Sequence, residues 1–260
     1  MLYLIVSLFA SIIGAICGIG GGVIIKPVLD MVSSDGASVI NFLSGCTVLS
    51  MSLYSVGKEL LGGKTNINYK QMVPLALGSA AGGICGNTLF NTLKNQFAEP
   101  RIISGIQAIC LAAVVFLSML YTLKKDSIKN LKIDNMAVSA VIGFALGTMS
   151  SFLGIGGGPI NLVVLYFFFS MNTKEAAFNS IFVILFGQIT NLGKTILTHT
   201  VPEFNTLTLV LMVCGGLLGG IIGRTMNKKI DGKTVEKLFL GAMVLILVIC
   251  ALNIKKYLFV

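Results

Sequence analysis

Charge is scarce in this chain. Only 11% of its 260 residues are Asp, Glu, Lys or Arg, while 55% are hydrophobic and the mean hydropathy is +0.92. A soluble domain carries about 25% charged residues, so an ordinary water-soluble fold is excluded. Histidine is nearly absent, with His199 alone, beside Pro202 and Glu203 in an expected loop. No Cys-x-x-Cys pair occurs, and no carboxylates pair within the apolar runs. These gaps remove the usual metal-ligand and acid–base constellations. No enzyme, metal or cofactor is expected. A relay of buried Asp and Glu, common in proton-driven transporters, has no obvious members. The six cysteines (17, 46, 85, 110, 214 and 250) fall in apolar stretches and read as small buried hydrophobes. The first 16 residues lack a basic leader and run into a motif that the second half copies, so they read as part of the fold.

Long apolar runs are what the chain does have. Several exceed the roughly 18 residues that suggest a membrane span. The formal charge of +9 comes from basic residues between those runs, where they set topology. The expected surroundings are a lipid bilayer and no nucleic acid.

The pentapeptide Gly18-Ile19-Gly20-Gly21-Gly22 recurs as Gly154-Ile155-Gly156-Gly157-Gly158, shifted by 136 positions. Each copy interrupts an apolar stretch. The shift persists: Phe42 and Ser44 match Phe178 and Ser180, and Gly57-Lys58 matches Gly193-Lys194. Gly78, Gly82 and Gly86 match Gly215, Gly219 and Gly223 at a shift of 137. Two repeats are expected, 1–123 and 135–260, joined by a basic linker at 124–134 and together forming one membrane domain. Each repeat contains one broken segment and three further helices: 2–32, 37–57, 71–92 and 102–123, then 136–169, 176–198, 205–226 and 235–254. The expected fold is all-α and polytopic, with two four-segment repeats.

A straight helix over 136–169 would be roughly 51 Å long, against a hydrocarbon core of about 30 Å. Glycine exposes backbone polar groups that lipid cannot satisfy. The chain is therefore expected to enter, turn at the glycines and return. Pro159 suits a new helix start. Charge supports the hairpin. With Lys26, Lys58 and Lys194 set aside as membrane-embedded candidates, sixteen Lys and Arg remain. Eight crossings would divide them eight to eight. Two hairpins divide them twelve to four, with the linker on the basic, cytoplasmic side. Three crossings per half then make the repeats inverted, with both termini outside.

A helix starting at each glycine turn offers free N–H groups and a positive dipole end, and two such turns meeting from opposite sides are expected to hold a small anion between them. The competing reading is close helix packing. That reading fits Gly78/Gly82/Gly86 and Gly215/Gly219/Gly223, spaced by four, better than three glycines in a row. The substrate-binding candidates are Gly18, Gly20, Gly21, Gly22, Ser44, Gly154, Gly156, Gly157, Gly158, Asn161, Asn179 and Ser180. Asn41, Thr47, Ser50, Ser52, Gln188, Thr190 and Asn191 are further polar residues on the helices after the broken segments, with hydrogen bonding between or within helices as the competing reading. Lys58 and Lys194 either snorkel to the interface or attract anions. Lys26 is expected to pair with Asp30 one helical turn on.

The duplicated stretches Gly14–Gly22 and Ser150–Gly158, with the four-segment halves and basic linker, resemble the TauE/SafE family of membrane permeases. The resemblance covers essentially the whole chain. It implies a multi-pass cell-membrane transporter, of a prokaryotic inner or plasma membrane, for sulfite or an organosulfonate such as sulfoacetate. The residues alone give only a small anion as partner. Open alternatives are a transporter or channel for another small anion, and a membrane assembly subunit that transports nothing. The sequence is compatible with a monomer or a homo-oligomer.

Overall fold

The computed structural model describes residues 1–62, 68–96 and 100–258. Its helices are α1 (Leu2–Cys17), α2 (Gly22–Val32), α3 (Ala37–Leu61), α4 (Tyr69–Gln96), α5 (Pro100–Lys124), α6 (Met136–Leu153), α7 (Pro159–Phe169), α8 (Thr173–Leu197), α9 (Thr206–Lys229) and α10 (Gly232–Leu258). No strand occurs among the described residues. Among the described residues, seven helices are long and apolar enough to cross a membrane, namely α3 to α6 and α8 to α10. The protein is thus a multi-pass membrane protein, and both broken segments divide at the glycine motifs. The part of the 58–70 loop at 63–67 lies outside the described residues.

Both broken segments double back. The amides of Leu131 and Ile133, just before α6, donate to the carbonyls of Phe167 and Phe168 at the end of α7, at 2.7 and 3.0 Å. Three residues span at most about 11 Å, so the end of α7 lies near the start of α6. Likewise the Tyr3 hydroxyl, at the start of α1, bonds the carboxylate of Asp35, just past α2. The first hairpin opens at the end of the molecule carrying Met1, and the second at the opposite end, carrying the linker.

The helix termini are built locally. Gly18 and Gly154 close α1 and α6 in the left-handed conformation, at φ 79° and 67°, which a side chain disfavours. Pro159 opens α7, where its missing N–H costs nothing. Asn172 and Glu175 form a capping box at the start of α8.

The tightest packings join the two halves and come in pairs related by the repeat: α1 on α9 and α6 on α4, then α3 on α9 and α8 on α4. Glycines allow the close approach. A Cβ on Gly78, Gly82 or Gly86 would lie 2.0–2.2 Å from a carbonyl oxygen of α6. Gly219 and Gly223 face Leu8 and Ile12 carbonyls of α1 at 2.6 and 2.4 Å. The packing reading of these glycines holds. Gly143 and Gly147 on α6 reciprocate against α4 at 2.0 Å.

The return arms α2 and α7 are mostly buried, with Met31 and Val32 exposed at the end of α2, whereas large apolar side chains stand exposed along α4, α5, α6, α9 and α10. That is the inside-out pattern of a chain whose outer face meets lipid. The cysteines fit the expectation unevenly. Cys17 and Cys250 are buried, but Cys85 and Cys214 are exposed on that outer face. Lipid tolerates a thiol that water would not favour, so apolar context does not imply burial here.

Candidate functional site

The two glycine turns meet inside the helical shell. A Cβ on Gly22 would lie 2.7 Å from the Ile155 carbonyl, and one on Gly158 would touch Val23 at 3.4 Å. Among the described residues, the amides of Gly20 to Gly22 and Gly156 to Gly158 have no hydrogen-bond acceptor. Free N–H groups therefore collect at the junction, as helix starts require.

The turns differ in what covers them. The first is packed shut. A Cβ on Gly18 would sit 2.2 Å from the Ala177 backbone, and one on Gly21 would meet Ser11 at 3.0 Å. Gly18 to Gly22 are all buried and line none of the cavities described below. The second turn is open to a cavity. Gly154, Ile155 and Gly156 line a space of about 110 Å³ with Asn41, Ser44, Asn87, Ser151, Gln188 and Asn191. Gly157 and Asn161 line a smaller space beneath it, about 10 Å³, shared with Gly156 and Gln188. The Gln188 amide nitrogen lies 1.6 Å from where a Gly156 Cβ would be. The Oδ1 of Asn41, Oε1 of Gln188 and Oδ1 of Asn161 are buried without a hydrogen-bond partner. Asn87 Nδ2 donates to Asn191 Oδ1 at 2.6 Å, and Asn91 Nδ2 donates to Asn87 Oδ1 at 2.8 Å. All these lining groups are neutral.

A second cavity, about 380 Å³, enters from the linker end. Its lining is the repeat image of the first. Ala15 stands for Ser151, Ser55 for Asn191, Glu59 for Thr195 and Ala177 for Asn41, at a shift of 136. Arg224 and Lys228 stand for Asn87 and Asn91 at 137. Here the chemistry is ionic. Arg224 pairs with Glu59 and donates to the Ser55 carbonyl at 2.7 Å, while Lys228 lies 3.3 Å from Glu59. Ala177 seals this cavity from Gly18.

The sequence candidates are thus divided. Ser44, Gly154 and Gly156 share the neutral cavity, and Gly157 and Asn161 lie just below it. Asn179 lines the ionic cavity. Ser180 is fully buried, its hydroxyl unpartnered, and lines neither. Lys58 is exposed near the linker end, and Lys194 donates to the Ile84 carbonyl and the Thr88 hydroxyl on α4. Lys26 and Asp30 lie one turn apart and attract electrostatically, but they form no direct ion pair. The Lys26 ammonium donates to Gln107 Oε1 at 2.9 Å and to the Leu153 carbonyl at 3.0 Å. Burial in the return arm brings it against the second turn, a non-local contact that helical spacing could not reveal. Asn87 and Asn91 were not singled out by the sequence. Their amide pair one turn apart in an apolar helix was the available signal.

Two hairpins meeting within a shell of apolar helices, with a cavity entering from each end, define a multi-pass membrane protein built for passage across the bilayer. Residues 3–250 match the family model described as "Sulfite exporter TauE/SafE", and the chain belongs to that family of membrane transporters. It is 25% identical over 274 residues to the "Probable membrane transporter protein YunE" of Bacillus subtilis (strain 168), covering 97% of this chain and 96% of that one. No solved structure matches.

Proposed function

We propose that this transporter carries a small anion, sulfite or an organosulfonate such as sulfoacetate, held at the Gly154–Gly158 turn. One observation carries the reading: the second turn, alone of the two, borders a cavity lined by amides and hydroxyls. Free backbone amides at Gly156 to Gly158, with the amide groups of Asn41 and Gln188 and the hydroxyl of Ser44, are neutral donors suited to sulfonate oxygens. The Lys26 ammonium lies behind the cavity floor, 2.6 Å from the position of a Gly154 Cβ, and favours negative charge there. The repeat supplies the second access state. Movement of Ala177 away from Gly18 would expose the first turn to the ionic cavity while the second closes. In the sequence, twelve of the sixteen basic residues other than Lys26, Lys58 and Lys194 belong to segments on the linker side, which supports a cytoplasmic linker end. The neutral cavity then opens on the outside.

The test is ligand-dependent stabilisation of purified protein by sulfite, thiosulfate, sulfoacetate, taurine and simple carboxylates. A ligand at 100 times its dissociation constant adds about 2.7 kcal/mol. The sulfur oxyanions should raise the melting temperature and the carboxylates should not. Stabilisation by carboxylates alone would reassign the substrate class, and none at all would favour a subunit without transport activity.

A further inference from the structure

Asp30 is a carboxylate inside the protein with no donor at one oxygen. It is 9% exposed, near the end of α2, and its Oδ1 has no hydrogen-bond partner. Asn253 of α10 is 2% exposed, and its Oδ1 is also unpartnered. The amide orientation is fixed, because Asn253 Nδ2 donates to the Pro27 carbonyl at 3.0 Å. Both residues line one cavity of about 10 Å³, together with Lys26 and Gln107. Two acceptors face a space in which no described donor serves them. The ammonium groups nearby are turned elsewhere: Lys26 to Gln107 and Leu153, and Lys256 to the Asp30 backbone carbonyl at 2.7 Å.

We infer that Asp30 is a proton-binding site, in which the protonated carboxyl donates to Asn253 Oδ1, and that this proton strengthens anion binding at the second glycine turn. One proton satisfies both acceptors at once, since a protonated carboxyl is a donor. A metal cation would be repelled by Lys26, which lines the same space. The charged and titratable groups facing Asp30 are Lys26 on its own helix and Lys256, Cys250 and Tyr257 on α10. Among the described residues, α5 contributes Ser104 and Gln107, both neutral. Tyr3 and Cys17 of α1, and Cys46, Tyr54, Lys58 and Glu59 of α3, do not line this cavity.

The link to the anion runs through Lys26. Its ammonium bonds the Leu153 carbonyl and lies against Gly154, which lines the neutral cavity. With Asp30 ionised, the two opposite charges on successive turns of α2 largely cancel. Protonating Asp30 leaves Lys26 uncompensated behind the cavity floor and makes the site more attractive to an anion. The proton is taken up from the aqueous phase when the anion binds and returned to it when the anion leaves. This second step rests on the anion site proposed above; the proton site does not.

Sulfoacetate is the probe, because both its acids stay ionised between about pH 6 and about pH 8. Its affinity for the purified wild-type protein should fall at least about fivefold over that range, the lower end of ordinary coupling between sites. Asp30→Asn, a permanently neutral stand-in, should bind equally at both pH values, with the affinity of wild type at the lower one. Binding to wild type should take up protons from a lightly buffered solution, a readout that needs no variant. Equal pH slopes in wild type and D30N, or no proton uptake on binding, would overturn the inference while leaving the anion site standing. If sulfoacetate binds to neither protein, the anion reading fails for this ligand, and the melting temperatures decide the proton site alone. A proton held more tightly in the folded state makes wild type lose stability relative to D30N as pH rises. Parallel curves would refute it.

Discussion

The same five residues, Gly-Ile-Gly-Gly-Gly, do two different jobs in one molecule. At 18–22 they are buried under α8 and packed against α1; at 154–158 they border a polar cavity. The difference lies in the partners rather than the turns. Ala177 lies on Gly18, while its repeat counterpart Asn41 sits beside Gly154 with an unpartnered oxygen and room around it. A small apolar residue closes a glycine turn by backbone contact, and an amide leaves it open to a polar cavity. The two cavities carry the same lesson outward. Built on matching positions, one is edged by Arg224, Lys228 and Glu59, the other by Asn87, Asn91 and Thr195. A duplicated frame thus carries an ionic mouth at one end and a neutral one at the other.

Substituting the turns breaks the comparison most strongly. Gly18→Ala adds a side chain at positive φ, costing about 1–2 kcal/mol. It also drives a Cβ into the Ala177 backbone, adding about 1–3 kcal/mol of overpacking. Thermal unfolding should show a large loss of stability. Gly156→Ala carries the same backbone cost, but its nearest neighbour is the far end of the Gln188 side chain, which can move. The protein should fold with a smaller drop in melting temperature and lose anion binding. Equal stability losses in both variants would erase the distinction between packed and open turns.

Serine gives a finer contrast. Ser44 lines the neutral cavity and Ser180, its repeat partner, is sealed with an unsatisfied hydroxyl. Ser44→Ala should cost about 1.5–3 kcal/mol of binding, roughly 10- to 150-fold in affinity. Ser180→Ala should leave affinity unchanged, because it removes a buried group that has no partner. Isothermal titration of both variants separates them. The smallest effect is expected at the ionic mouth. Glu59→Gln removes a partly exposed ion pair worth about 0–1 kcal/mol. Its melting temperature should differ little from wild type and respond less to added salt.

Much of the frame was legible from the chain. The break in each first segment, the helix start at Pro159 and the packing role of Gly78, Gly82 and Gly86 follow from local rules about glycine and proline. The doubling back followed from length and charge. What could not be read was which turn is covered, because that depends on Ala177 and Asn41 meeting residues far away in sequence. The hydrogen-bond partners of Lys26 were hidden for the same reason. Spacing by four suggested a charge pair, but tertiary hydrogen bonds to Gln107 and Leu153 decided where the Lys26 ammonium points. The absence of a carboxylate relay was likewise read from position along the chain, which placed Asp30 at a segment end without showing its burial. The neutral cavity was half visible: Ser44, Gly154 and Gly156 were named, while Asn87 and Asn91 were hidden in a helix that reads as simply apolar.

The open and closed turns can be distinguished most directly by labelling. On a background without native cysteines, Ser151→Cys places a thiol in the neutral cavity and Ala15→Cys places one at the matching position of the ionic cavity. A membrane-impermeant maleimide should label Ser151→Cys from outside the cell and Ala15→Cys only from the cytoplasmic side. Sulfoacetate should slow the first reaction and leave the second unchanged. Equal protection of both positions, or labelling of both from one side, would contradict an anion site at the second turn alone.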